Sequence, residues 1–257
     1  MASHPFFTGL SSPRILAHRG LVTDEMREEG IVENSVAAIA AAHAAGAQII
    51  ESDCHLTSDG VVVLFHDDTL ERVTGDPRAI ADVTLAELDE IMATRGGLAT
   101  LAQALDGFPE SRFNIDVKAA AAADPAGAIV ADYSERVLLT SFSDARRRRA
   151  LAAARRAGGA PATSAGASVI LRLLLATRVL PLPALARRVL RGVDALQVPE
   201  KRGPIRIVTP ALIRAAHASG VEVHVWTINE LEEMRRLLGA GVDGIVTDVA
   251  DQALHAM

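Results

Sequence analysis

The chain has 257 residues, 49% of them hydrophobic and 23% charged, which is enough apolar material for one large α/β domain or two small ones and too much for a disordered chain. A formal net charge of −6 argues against a nucleic-acid binder that relies on phosphate contacts. The lone cysteine, Cys54, excludes an intrachain disulfide, residues 1–15 lack the basic start and apolar core of a signal peptide, and no apolar run is long enough for a membrane span, so a soluble cytoplasmic protein is expected.

Taken in order, strand and helix signals alternate. Residues 15–17 form a short strand ending in His18-Arg19-Gly20. A charged loop, 21–33, leads to a helix capped by Asn34 or Ser35, with Val36, Ile39, Ala40 and the His43 ring on its apolar face and Gly46 as its stop. The apolar run 47–50 feeds a second strand whose alternation sends Glu51, Asp53 and His55 to one face and Ile50, Ser52 and Cys54 to the other. Asp59-Gly60 is a hairpin turn signal, and 61–65 returns to end at His66-Asp67. Helical pieces 84–92 and 100–105 follow, joined through Gly96-Gly97. Strand 113–118 places Asn114, Asp116 and Lys118 on one face, and 119–133 is helical around Asp124-Pro125.

The second half repeats the theme. It runs through strand 136–140, a helix capped at Ser143-Asp144 and reaching Ala157, and a weak strand 160–165. An apolar stretch with interleaved arginines, 168–190, is broken at Pro181 and Pro183. Strand 194–198, helix 210–219, strand 221–226, helix 230–238, strand 243–247 and helix 249–256 complete the chain. The arginine run 146–149 reads as a solvated helix face.

Eight strand–helix units in about 250 residues, with no Pro-, Gly- or Ser-rich linker between them, predict a single (β/α)8 TIM-barrel domain over residues 1–257. In that fold reacting groups gather at the C-terminal strand ends, and polar residues stand there in number: His18 and Arg19, Glu51 and Asp53, Asp116 and Lys118, Trp226, and Thr247-Asp248. Burying two carboxylates two residues apart is costly, and a divalent metal would offset that cost. The all-oxygen set Glu51, Asp53 and Asp116 suits one hard cation, Mg²⁺ or Ca²⁺, rather than Zn²⁺. His18 and His66 beside it suit a general base and a general acid, and Arg19 and Lys118 suit an anion such as phosphate. The combination fits metal-assisted phosphoester cleavage. Other readings stand beside it: Asp116 and Lys118 as a structural ion pair, Trp226 as a core residue, and the hairpin acids as solvated groups.

HRG at 18–20, EN at 33–34, ESDCHLTSDG at 51–60, VVLFHD at 62–67, LERVTG at 70–75, NIDVK at 114–118, VWTIN at 225–229 and GVDGIVTD at 241–248 together resemble the glycerophosphodiester phosphodiesterase family, in the family's order and over nearly the whole chain. The resemblance implies a (β/α)8 barrel and metal-dependent hydrolysis of a glycerophosphodiester to glycerol 3-phosphate and an alcohol. By motif position it implies His18 and His66 as the catalytic pair, Glu51 and Asp53 as metal ligands, Arg19 and Lys118 as phosphate contacts, and Trp226 in the site wall.

Two departures from the family pattern stand out. Asp116 takes the place of the third ligand, usually a glutamate in an EIK-like motif, and Val32 replaces the proline usual before EN, in a long charged loop 21–32 that rims the pocket. The sphingomyelin-cleaving phospholipases D, which resemble the same family, use aspartate in the metal site. A lipid-active enzyme of lysophospholipase D or sphingomyelinase D type, releasing a cyclic phosphate, is therefore the alternative, and an inactive binding protein a third. Segment 166–191 carries Arg172, Arg178, Arg187, Arg188 and Arg191 among leucines; it reads as an outer barrel helix with a solvated basic edge, with peripheral membrane contact as the second reading.

Overall fold

The computed structural model describes residues 4–178 and 183–257. The apolar runs expected as strands pair in parallel. In chain order the strands are β1 (Arg14–His18), β2 (Ile49–Leu56), β3 (Val62–Leu64), β4 (Arg112–Val117), β5 (Val137–Thr140), β6 (Ala162–Thr163), β7 (Ala195–Pro199), β8 (Lys201–Arg202), β9 (Ile205–Arg206), β10 (Glu222–Trp226) and β11 (Gly244–Thr247). Around the main sheet the order is β6-β5-β4-β2-β1-β11-β10-β7. A parallel bridge from Ser164 to Ala195 joins its two ends, so these eight strands close into a barrel. A helix follows each barrel strand before the next begins, as a (β/α)8 fold requires.

Alternation along the strands builds two apolar layers. Leu16, Ile49, Leu138, Ala162, Ala195 and Val246 pack together inside the barrel, while Ile15, Ala17, Ile50, Ile115 and Leu139 pack in the shell between barrel and helices. Phe6 and Phe7, on the short 3₁₀ turn Pro5–Phe7, belong to the inner cluster. Arg14 donates to the Phe7 carbonyl and pairs with Glu222 at 3.0 Å, which fixes this aromatic plug at the strand-start end of the barrel. The far end is left for polar groups.

Between β2 and β4 the chain makes an excursion. β3 returns antiparallel along β2, pairing Cys54 with Leu64 and Leu56 with Val62. The helices Leu85–Met92 and Leu101–Gly107 start in capping boxes at Thr84 and Thr100. Val63, Phe65, Leu70, Ile80, Leu88 and Met92 give this excursion a small core of its own. It presents His66 to the barrel rim.

Several sequence expectations are corrected. The helix Val36–Ala44 is capped by Ser35, one of the two residues expected, but its buried face is Ala38, Ile39 and Ala42, whereas Val36 and His43, expected on that face, are exposed. The arginine run 146–149 is not one solvated face. Arg147 is buried against Asp144 at 3.2 Å, and the Arg146 guanidinium turns inward to the carbonyls of Val117 and Lys118. On a helix four consecutive residues cover every side, so two of them must meet the barrel. The stretch 168–190 forms the helices Ala167–Arg178 and Pro183–Val189, and the expected break at Pro181 lies outside the described residues.

Candidate active site

Strand register sets the floor of the site. His18 on β1 stands opposite Glu51 on β2, which stands opposite Asn114 on β4. One layer nearer the mouth, Asp53 stands opposite Asp116, and Asp116 opposite Thr140. All three acids are buried. Burial, reinforced by the Asp53 charge, pushes the Glu51 carboxyl up to about 8, and burial raises Asp116 against the pull of Lys118.

The backbone just past β1 turns sharply. Arg19 has φ 58°, Gly20 has φ 87°, and a Cβ at Gly20 would lie 2.7 Å from the Ala38 backbone, so only glycine fits. The turn aims the Arg19 amide at Glu51 Oε2, 3.2 Å away. Its guanidinium reaches Glu33 at 2.6 Å and lies 3.2 Å from Asp53 Oδ2. Asn34, also left-handed at φ 59°, accepts from the Ser52 hydroxyl at 2.6 Å and donates to Asp53 at 3.4 Å. The EN pair thus braces the acid cluster from both sides.

Lys118 lies between two of the acids, its Nζ 2.9 Å from Asp53 and 2.7 Å from Asp116. Burial works against its charge, but the two carboxylates raise its pKa above the usual lysine range. One oxygen of Asp116, Oδ1, and Oδ1 of Asn114 are buried without a hydrogen-bond partner. Among the described residues no three His, Cys, Asp or Glu groups converge as a ready metal cage. Three buried carboxylates, oxygen donors only, with one oxygen orphaned, are nonetheless the donor chemistry that fits a hard divalent cation.

His18 binds Asp248 through Nδ1 at 2.6 Å, and Asp248 accepts from Asn229 Nδ2 at 2.8 Å. Burial alone would lower the imidazole pKa; the Asp248 hydrogen bond and the Glu51 charge reverse that and raise it. His66 binds Asp67 through Nδ1 at 2.5 Å, and Asp67 pairs with Arg72 at 2.5 Å. Arg72 continues to Glu33 at 2.6 Å, and from there Arg19 leads to Asp53, so His66 is tied to the acid cluster by an unbroken chain of charged contacts. His55, which shares its strand face with Asp53, is buried, braces the His66 carbonyl at 3.1 Å, and has its pKa lowered by burial.

Trp226 is half-buried and meets Phe142 edge-on, with centroids 5.7 Å apart. Phe142 is 58% exposed, and Lys118 Nζ lies 5.3 Å from its ring centre. Sequence reasoning missed Phe142, whose one signal is a large apolar residue among the serines after β5. It also left Asp248 and Asn229 without roles, although both lie in motifs it quoted. Cys54 is buried in the outer shell and its thiol is pushed up by burial, consistent with a packing residue. His43 is an exposed histidine, hydrogen-bonded to Ser111 at 3.0 Å and lying beside the Phe108 ring.

Residues 18–252 match the glycerophosphoryl diester phosphodiesterase family. A probable glycerophosphodiester phosphodiesterase 2 of Mycobacterium tuberculosis is 37% identical over 239 residues, covering 92% of this chain and 87% of that one. A lysophospholipase D of Rattus norvegicus is 24% identical, covering 91% of this chain and 83% of its own. In fold, the chain is similar to an Oleispira antarctica phosphodiesterase solved in complex with the product sn-glycerol-3-phosphate, with a TM-score of 0.69 at 21% identity over 95% of this chain and 96% of that one. The chain is therefore an enzyme that belongs to the glycerophosphoryl diester phosphodiesterase family.

Proposed function

We propose that the enzyme hydrolyses glycerophosphodiesters to glycerol 3-phosphate and an alcohol, using one divalent cation at Glu51, Asp53 and Asp116 and the pair His18 and His66 for proton transfer. The observation that carries this reading is the chain of charged contacts linking His66, through Arg72, Glu33 and Arg19, to the acid cluster beside His18. It makes one constellation of residues 18 to 118. The product named in the Oleispira complex supports recognition of the glycerophosphate half.

When bound, a Mg²⁺ or Ca²⁺ ion would screen the charge that builds on the phosphate oxygens. The chain's own residues do the rest. Arg19 and Lys118 bind the phosphate, and Trp226 and Phe142 form the wall beside it. One histidine takes a proton from water as its oxygen bonds to phosphorus; the other gives a proton to the alcohol oxygen as its bond to phosphorus breaks. Asp248 and Asp67 orient the two rings. A free, buried Cys54 suits the cytoplasm as the place of action.

A second reading is favoured by the exposed Phe142 lip and by the activity named for the rat relative: a lysophospholipid as substrate, with a substrate hydroxyl as nucleophile and a cyclic phosphate as product. Phosphorus NMR of reactions with glycerophosphocholine and a lysophospholipid tests both. Glycerol 3-phosphate from the soluble diester, abolished by chelator, is the expected result. Full turnover in excess chelator, or a cyclic phosphate as the main product, would overturn the first reading.

A further inference from the structure

Charge is strongly segregated along the chain. Residues 144–191 contain 11 arginines and one acid, Asp144, although the protein as a whole carries 26 basic and 32 acidic residues. Some of these arginines are spent internally: Arg147 on Asp144, and Arg149 and Arg156 on Asp124. Those on the next two helices face water. Arg172 and Arg178 are exposed on Ala167–Arg178, and Arg187 and Arg188 on Pro183–Val189. Ala184, Arg187, Arg188 and Arg191 line an open recess of ≈ 500 Å³.

The apolar side chains between these arginines are not all buried. Leu171 is 60% exposed and Leu175 51%, one turn apart on the same face, while Val169, Leu173 and Ala176 fill the core side. An exposed leucine stripe flanked by guanidiniums is unfavourable in water and suited to the boundary of an anionic bilayer, where leucines enter the acyl region and arginines meet phosphates. The stripe starts at the barrel mouth: the Ala167 amide, at the head of the helix, donates to the carbonyl of Phe142 at 2.9 Å.

We propose that the Leu171–Leu175 face and the flanking Arg172, Arg178, Arg187 and Arg188 dock on an anionic lipid surface. A second copy of the chain fits less well, because a two-fold contact would bring arginines against arginines. Nucleic acid would use the charge but leave the leucines in water, and the patch has no aromatic platform for bases.

The test is sedimentation of the full chain with vesicles of phosphatidylcholine alone or mixed with phosphatidylglycerol, at low and high salt. Binding is expected to the anionic vesicles only, to fall with salt, and to weaken by about tenfold in both Leu171→Glu/Leu175→Glu and Arg187→Glu/Arg188→Glu. Hydrolysis of a soluble diester by both variants should be unchanged, which also shows that they fold. Equal binding to neutral vesicles, unimpaired binding by the variants, capture of an oligonucleotide without vesicle binding, or a dimer that the leucine variant dissolves would each overturn the proposal. Sedimentation needs no turnover, so its outcome is separate from that of the catalytic reading.

Discussion

Nδ1 of His18 and Oδ1 of Asp248 are 2.6 Å apart, although the two residues are 230 positions apart in the chain. Asp248 is itself fixed: its other oxygen accepts from Asn229 at 2.8 Å, and its amide donates to the Asn229 side-chain oxygen at 2.9 Å. With Nδ1 so engaged, Nε2 is the nitrogen left to face the reacting group.

Asp248 is therefore expected to act as a positioning residue. Asp248→Asn keeps the shape but removes the charge that opposes the effect of burial on His18. The His18 pKa, followed by nitrogen NMR of the imidazole in metal-free protein, should fall relative to wild type. In the wild type the raised His18 stabilises the fold below the unfolded histidine value, and that contribution is lost as pH rises through the folded one. kcat should drop roughly 10²-fold with KM little changed. An unmoved His18 titration would show Asp248 to be a bystander.

The metal proposal makes a graded prediction. Chelation should abolish turnover and Asp116→Ala should nearly do so, whereas Asp116→Glu should retain partial activity, because it restores an oxygen donor at a different reach. Lys118 pairs with the carboxylates that the proposal gives to the metal, lying 2.7 Å from Asp116. Lys118→Met should therefore bind Mg²⁺ or Ca²⁺ more tightly by calorimetry while hydrolysing more slowly for want of a phosphate contact. Weaker metal binding in Lys118→Met would show that the ammonium does not compete.

For the histidines, His18→Ala and His66→Ala should each lose on the order of 10²–10⁴ in rate with a poor leaving group. A nitrophenyl ester needs little proton assistance at the leaving oxygen. It should rescue only the variant that lacks the acid, which identifies it. Normal turnover of glycerophosphocholine by either variant would remove that residue from the catalytic pair.

Asp144 anchors the turn into the helix Ala167–Arg178. Its carboxylate accepts from the Ser168 hydroxyl at 2.6 Å and from the amides of Gly166, Ser168 and Val169, and it pairs with Arg147. Burial would raise its pKa, but these donors hold it below the usual aspartate value. A depressed carboxylate stabilises the fold above its unfolded pKa, and that contribution is lost as pH falls through the folded one. Thermal stability should therefore decline below the ordinary carboxylate range. Asp144→Ala should remove about 2–4 kcal/mol and flatten that acid limb. An acid limb unchanged in Asp144→Ala would assign it to other carboxylates.

Most of the barrel was legible because its signals are local: apolar runs that end in polar residues, caps at Ser35, Thr84, Thr100 and Ser143, and glycine stops. The acid cluster was legible for the same reason, since alternation along β2 and β4 puts Glu51, Asp53 and Asp116 on inward faces. What was not legible depends on pairing over distance. Asp248 stands in a quoted motif, yet only barrel closure brings it to His18. Phe6 and Phe7 look like an ordinary leader until the strand-start end of the barrel needs a plug. Arg146 and Arg147 look solvated until the helix is placed against β4 and β6. Phe142 gains meaning only beside Trp226 and Lys118.

Under the proposed mechanism Arg19, Lys118 and the three acids act on the phosphate, and the alcohol would lie against Phe142 and Trp226, which offer contact area and few hydrogen bonds. Such a wall discriminates weakly among polar alcohols, so glycerophosphocholine, glycerophosphoethanolamine and glycerophosphoglycerol should differ by no more than about tenfold in kcat/KM, a spread of about 1.4 kcal/mol. Under the same proposal the glycerophosphate half occupies the pocket, so diesters without a glycerol should be much poorer substrates. Phe142→Ser should leave metal dependence intact and lower activity most on the alcohol with the largest apolar part. The loop 21–32, expected from the sequence to rim the pocket, contains the short helix Asp24–Glu28, and shortening it should reorder the three alcohols without touching metal dependence. A strong preference for a lysolipid in the wild type, lost in Phe142→Ser and accompanied by cyclic phosphate, would move the enzyme into the phospholipase class instead.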